Sequence, residues 1–141
     1  MTKFPEFWAD LFAKFESEAL KTRKGPGGRE LTYVTARTVM NRLDDVVGPE
    51  NWWDVYEHTD KGLVCGLTIR LPDGSLVTKE DGAAFSEPEG EDDIYKACCS
   101  EAFKRAAVKF GVGRYLYRDR VPHFVRQVLS KAIAGDTSEN K

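Results

Sequence analysis

The sequence predicts a single α+β domain with the element order α-α-β-β-β-α-α. Apolar residues recur at three- and four-residue steps near both ends of the chain, which is the spacing of helices. Between them the period changes over residues 52–84, which are rich in β-branched and aromatic residues, as strands are. The expected core is therefore a three-stranded antiparallel β-meander packed on one long helix, a β-β-β-α unit with flanking helices.

The first part of the chain is expected to hold two helices joined by a loop. Residues 5–22 carry one apolar stripe at helical spacing, and Pro5 suits a first helical turn. The stretch KGPGGRE is expected to be a flexible loop, and LTYV after it to be short and extended. Thr35 is a suitable N-cap for a second helix that runs through about Val47.

Three strands are expected in WWDVYEH, GLVCGLTIRL and SLVTKEDGAA. The stretches TDKG and PDG between them have the composition of tight turns, and Asp-Gly is a strong hairpin signal. Trp52 and Trp53 point to opposite faces of the first strand, so at least one of them is expected in the core. An acidic loop, residues 85–91, leads from the last strand to the long helix.

The long helix, which starts at residue 92 or 93, is expected to have an apolar and a polar side. Its sheet-facing side comprises Tyr95, Cys99, Ala102, Phe103, Ala106 and Phe110. The opposite side comprises Ser100, Glu101, Lys104 and Arg105, with Lys109 at the flank. Gly111 is expected to end the helix, and a short helix to follow at about 122–134. The predicted domain spans residues 1–134, and residues 135–141 form a disordered tail.

Charge is distributed unevenly along a chain whose net charge is −2. Residues 77–93 carry a net charge of −6, whereas residues 94–131 carry +7 and residues 21–37 carry +4. Because the local field of a surface attracts a charged partner, a weakly acidic chain can still present a basic binding face.

The basic residues of the long helix allow two interpretations. Lys and Arg are common on solvated helix faces and in last helical turns, where they complement the helix dipole. The continuation interleaves Arg114, Tyr115 and Tyr117 with further arginines, which suits single-stranded nucleic acid because rings can stack on bases. Tyr115 and Leu116 can equally be core residues, and the sequence leaves both interpretations open.

The sequence lacks the residues that several other classes of function require. The glycines of GVG follow a helix, whereas phosphate-binding glycines precede one, and no GxxxxGK(S/T) motif occurs. The two histidines and three cysteines show no metal-ligand spacing, and the carboxylates do not converge as a metal nuclease requires. The sequence therefore predicts a non-enzymatic protein without metal or cofactor. No membrane span or signal peptide is evident, so a cytoplasmic location is expected.

Three stretches together resemble a known family: TYVTARTVMNRLDDVVGPENWW, PDGSLVTKEDGAA and DDIYKACCSEAFKRAAVKFGVGRYLY. Over about residues 20–118 the chain resembles the single-strand annealing proteins of the Rad-fifty-two/Rad-twenty-two superfamily, and its last stretch is most similar to the bacterial DNA-damage-response group DdrA. The resemblance implies a compact β-β-β-α core that assembles into a ring-like or open homo-oligomer. It also implies binding of single-stranded DNA and ATP-independent annealing of complementary strands in recombination and repair, hence nucleoid association.

The resemblance further implies that cations hold the sugar-phosphate backbone while the bases face outward for pairing. Lys104 and Arg105 match an adjacent Lys-Arg pair on the family's long helix, and Arg23 matches an arginine before a glycine-rich loop. The family's third helix cation aligns with Val108, and Lys109 lies one residue later. The candidate DNA-binding residues are Lys104, Arg105, Arg23, Lys109, Arg29 and Arg114.

Two hypotheses from other classes remain. A protein-protein adaptor would keep the fold without DNA binding, and the near-neutral total charge and Val108 favour it slightly. A metal-dependent nuclease ranks last. Recombination proteins are candidate partners in either binding role.

Overall fold

The computed structural model describes residues 2–86, 91–117 and 122–127, and only the backbone of residues 91 and 92. The strands of the first sheet are β1 (Lys21–Lys24) and β2 (Glu30–Tyr33). The second sheet has the antiparallel order β3-β4-β5, formed by Trp52–His58, Gly62–Arg70 and Leu76–Ala84. The helices are α1 (Pro5–Phe12), α2 (Ala36–Val46) and α3 (Glu91–Val108), and residues 123–127 are also helical.

The meander packs one face on α3, which confirms the predicted β-β-β-α core. Alternate residues of the central strand β4 point to this face, and Cys65, Leu67 and Ile69 are fully buried there. Phe103 and Phe110 are buried on the other side of the interface, and Trp52 packs against Phe103 with 5.8 Å between ring centroids. The sheet and the long helix therefore bury each other's apolar faces.

The apolar side of α3 differs from the prediction at its first turns. Tyr95 packs only at the end of the sheet and is 45% exposed. Its ring contacts His58 of β3 and Phe85, which follows β5. Cys98, predicted to lie between the two sides, is buried, and its thiol donates to the carbonyl oxygen of Ala83 at 3.2 Å.

The first helix is shorter than predicted: it ends at Phe12 and does not reach residue 22. The guanidinium of Arg42 donates to the carbonyl oxygens of Ala13 at 2.7 Å and Lys14 at 3.2 Å, and it lies 4.3 Å from the centroid of the Phe15 ring. A side chain of α2 thus satisfies backbone acceptors just beyond the helix, where the chain turns away. Burial lowers the pKa of Arg42 below its usual value.

The glycine-rich stretch connects two paired strands, so the predicted loop is the connection of a β-hairpin. Gly27 and Gly28 adopt φ values of 73° and 76°, which glycine reaches without steric cost. Lys21 pairs with Tyr33 and Arg23 with Leu31 across the two strands. This hairpin is an addition to the predicted element order, and it forms one wall of the candidate site.

Two predicted helix boundaries are confirmed. The Thr35 side chain accepts a hydrogen bond from the amide of Thr38 at 3.2 Å and caps α2. Gly111 has a φ of 101° just after α3 and lies against the Phe12 ring. The predicted tail, residues 135–141, and most of the predicted last helix lie outside the described residues.

Candidate functional site

A groove of about 320 Å³ lies between the β1–β2 hairpin and α3. Alternation along the hairpin places Arg23, Leu31 and Tyr33 on the same face, because Arg23 and Leu31 are paired and Tyr33 follows two residues later. On α3, Glu101, Lys104 and Val108 are separated by three and four residues and line the opposite wall. The hairpin that sequence reasoning missed is therefore what encloses this site.

Three predicted cations line the groove, namely Arg23, Arg29 and Lys104, which we call the groove cations. Arg23 and Lys104 each lie 5.5 Å from the centroid of the Tyr33 ring. This distance is within the range of cation–π attraction, so the tyrosine holds two positive groups at one opening.

Lys104 is the most constrained of these cations. Its side chain is 19% exposed, and its ammonium donates to the carbonyl oxygen of Val34 at 3.3 Å. The same ammonium lies 3.9 Å from a carboxylate oxygen of Glu101. One ammonium thus connects α3 to the end of the hairpin, and a carboxylate shares the groove with the cations.

The end of the groove is closed by a 3₁₀ turn, Arg114–Tyr117. Gly111 and Gly113, with φ values of 101° and 75°, reverse the chain after α3 so that Leu116 and Tyr117 line the groove. Tyr117 is 54% exposed. Burial raises the pKa of its hydroxyl and the nearby Glu101 raises it further, while Arg105 and Arg23 act in the opposite direction. This aromatic side chain therefore lies within the electrostatic range of Arg23 and of Arg105.

Arg105 and Lys109 point away from the groove, toward β5. The Nε atom of Arg105 lies 3.5 Å from one oxygen of Asp81, and the ammonium of Lys109 lies 3.9 Å from the other. Lys109 also donates to the carbonyl oxygen of Glu80. The structure thus separates the adjacent Lys104 and Arg105, because consecutive helical residues project about 100° apart. We call Arg105 and Lys109 the sheet-side cations.

Arg114 lies in a further basic region that includes Lys79, a residue absent from the predicted site. The Lys79 ammonium donates to the carbonyl oxygen of Lys109 at 3.0 Å and lies 5.3 Å from the centroid of the Phe110 ring. Burial lowers the pKa of Lys79, and the charges of Arg114 and Lys109 lower it further. The guanidinium of Arg114 lies 5.9 Å from the Phe12 ring centroid.

The sequence left open whether the aromatic residues after α3 belong to the core or contact a ligand, and the structure gives different residues different surroundings. Tyr115 accepts a hydrogen bond from the Phe15 amide at 3.0 Å, and Leu116 packs against the core, so both support the fold. Tyr117 and Leu116 also line the groove, together with Tyr33 from the hairpin. Alternation in LTYV was the signal that could have placed Leu31 and Tyr33 on one face of a strand.

Within the described ranges, no three His, Cys, Asp or Glu side chains are grouped so as to hold a metal ion. None of the described helices combines the length and apolar composition needed to cross a membrane.

Comparison with known proteins places these features in a family. The profile of the Rad52/22 family double-strand break repair protein matches residues 4–132. Single-stranded DNA-binding protein DdrA of Deinococcus radiodurans is 45% identical over 92 residues, and the match covers 62% of this chain and 40% of the relative. The DdrA protein of Deinococcus deserti is 41% identical over 92 residues, and that match covers 62% of this chain and 41% of the relative. The aligned part thus spans about two fifths of the relatives' length. The chain belongs to the Rad52/22 family of double-strand break repair proteins.

Proposed function

We propose that this chain binds single-stranded DNA in the groove between the hairpin and α3 and anneals complementary strands during repair, without ATP. The observation that carries the proposal is the convergence of Arg23 and Arg29 from the hairpin with Lys104 from α3 on one groove with two tyrosines. The names of the curated relatives, which describe single-stranded DNA-binding proteins, support the same class of ligand.

The arrangement suits contacts with a sugar-phosphate backbone. Cations that neutralise phosphates release bound counterions, which favours binding of any sequence. Backbone contacts leave the base edges free, and annealing requires free edges for pairing with a second strand. The role needs no bond to be made or broken, so we propose a binding function without catalysis.

We further propose that copies of the chain assemble into a ring-like homo-oligomer whose grooves form one continuous track. A single groove offers three cations, and repeating it along one strand multiplies weak contacts through effective concentration. Assembly of this kind also reconciles a net charge of −2 with binding of a polyanion, since each copy turns the same basic face to the strand.

Fluorescence anisotropy with a labelled oligothymidylate at low and moderate salt tests DNA binding. The double variant Arg29→Ala/Lys104→Ala should lose binding, whereas Lys14→Ala/Arg70→Ala, which removes two exposed charges outside the groove, should retain it. Equal losses in both variants would show that only the total charge matters. No binding by the unchanged chain at either salt concentration would favour the adaptor role.

Annealing and assembly need separate measurements. Complementary oligonucleotides that carry a donor and an acceptor dye should anneal faster with the protein in buffer that contains EDTA and no nucleotide. Negative-stain images of the full chain, with and without an oligonucleotide, should show closed or open rings. A monomer under both conditions would refute the proposed assembly while leaving DNA binding to the anisotropy result.

A further inference from the structure

The lining of the groove combines two kinds of chemistry. Apart from the groove cations, Glu101, Thr32 and Gly113, the lining residues are apolar or aromatic, and we call this part of the groove the interior. Its lining comprises Leu31, Val34, Val39, Val108, Val112 and Leu116, together with the rings of Tyr33 and Tyr117. A volume of about 320 Å³ is at the lower end of the range for small-molecule pockets, so the space is suited to one planar group.

Val108 determines the character of this interior. It lies one turn after Lys104 on the same wall of the groove. Lys109, the next cation along the chain, points to Asp81 and away from the groove. Beyond the Lys104 ammonium, the described residues on this wall offer a phosphate no positive group, and burying an unpaired anion among valine and leucine side chains is costly.

A nucleobase matches both parts of the groove. Its faces are apolar and stack on aromatic rings, and a phosphate is attached to the same nucleotide through the sugar. We propose that the interior receives one base of the bound strand per subunit, turned inward beside Tyr33 and Tyr117, while the groove cations hold the adjacent phosphates. This proposal rests on the proposed function. It adds that one base per subunit turns into the groove, while the other bases of the strand face outward.

An oligonucleotide built from abasic nucleotides tests this proposal, because it keeps the phosphates and removes every base. With the unchanged chain, anisotropy should show the abasic strand binding about five- to hundredfold more weakly than oligothymidylate of equal length. Equal affinities would overturn the pocket and leave backbone binding intact. If neither strand binds, the proposed function and the pocket both fail.

A variant locates the effect in the groove. Val108 is half-buried, so Val108→Lys can place a chain and a charge at the interior without disrupting the core. The difference between the two strands should then fall to less than about twofold, because the pocket is filled and a phosphate contact is added. Asn41→Lys adds the same charge on the exposed side of α2 and should keep the full difference. A full difference in Val108→Lys would place the base contacts elsewhere and overturn the proposal.

Discussion

Replacing Lys104 with alanine should reduce both the affinity for single-stranded DNA and its dependence on salt. Three groove cations that each neutralise one phosphate give a log–log salt slope of roughly −2 per subunit, at about 0.7 per contact. Removal of one contact changes this slope to roughly −1.4. A lost hydrogen bond to a charged group is worth about 1.5–3 kcal/mol, which corresponds to at least about tenfold weaker binding at low salt.

The structure adds a second reason for a large effect. Lys104 lies 3.9 Å from Glu101, and alanine would leave that carboxylate unpaired in the groove. An unopposed negative charge repels phosphate, so the loss should exceed that of Arg105→Ala. Arg105 already faces Asp81 at 3.5 Å, and a cation whose charge is partly neutralised contributes less to counterion release.

The assay is anisotropy with a short labelled oligothymidylate over a series of salt concentrations, analysed as log K against log salt. Lys104→Arg keeps the charge and should retain the slope of the unchanged chain. Lys14→Ala removes an exposed charge that does not line the groove and is the matched control. The reasoning is refuted if Lys104→Ala keeps the full slope, or if Lys14→Ala lowers it equally.

Three further predictions concern the elements that position the groove, and thermal and urea unfolding measure all three. Gly111→Ala should destabilise the fold by at least about 2 kcal/mol, because φ is 101° there and a new Cβ overlaps the Phe12 ring; a neutral result would contradict that backbone geometry. Thr35→Ala should cost about 1 kcal/mol through loss of the α2 cap, whereas Thr35→Ser should cost little. Arg42→Ala should lower the free energy of unfolding by about 3 kcal/mol, because the carbonyl oxygens of Ala13 and Lys14 lose a charged donor. Arg42→Met keeps the apolar stem of the side chain, and it should lower the free energy of unfolding equally if those hydrogen bonds carry the effect.

The core could be predicted from the sequence because its pattern is local. Alternation in the central strand places Cys65, Leu67 and Ile69 on one face, and helical spacing places Phe103 and Phe110 on another. Such patterns depend only on the two-residue period of strands and the 3.6-residue period of helices. The end of α1 depends instead on Arg42, which is about thirty residues away in sequence, and no local pattern predicts that contact.

The residues of the candidate site could be predicted from the sequence better than their positions in space. Residue types and the family resemblance indicated Lys104 and Arg105 as neighbours with one role, yet the helix directs Lys104 into the groove and Arg105 toward Asp81 on β5. Glycine and proline in KGPGGRE suggested a loop, and the strands on either side of it are only four residues long, too short to give a clear alternating pattern. Only the pairing of the two strands shows that Tyr33 and Arg23 share a face.

Asp81 holds two of the candidate cations, one on α3 and one just after it, against the sheet. Its carboxylate accepts from the Gly82 amide at 2.7 Å and faces both sheet-side cations, so it holds Arg105 and Lys109 against β5. The charges of Arg105 and Lys109 are therefore already partly neutralised in the absence of DNA. By contrast, two of the groove cations, Arg23 and Lys104, lie beside the Tyr33 ring, and among the described residues the ion pair that lines the groove joins Lys104 to Glu101. We therefore expect the positions of two carboxylates, those of Asp81 and Glu101, to decide which of these cations can contact a phosphate.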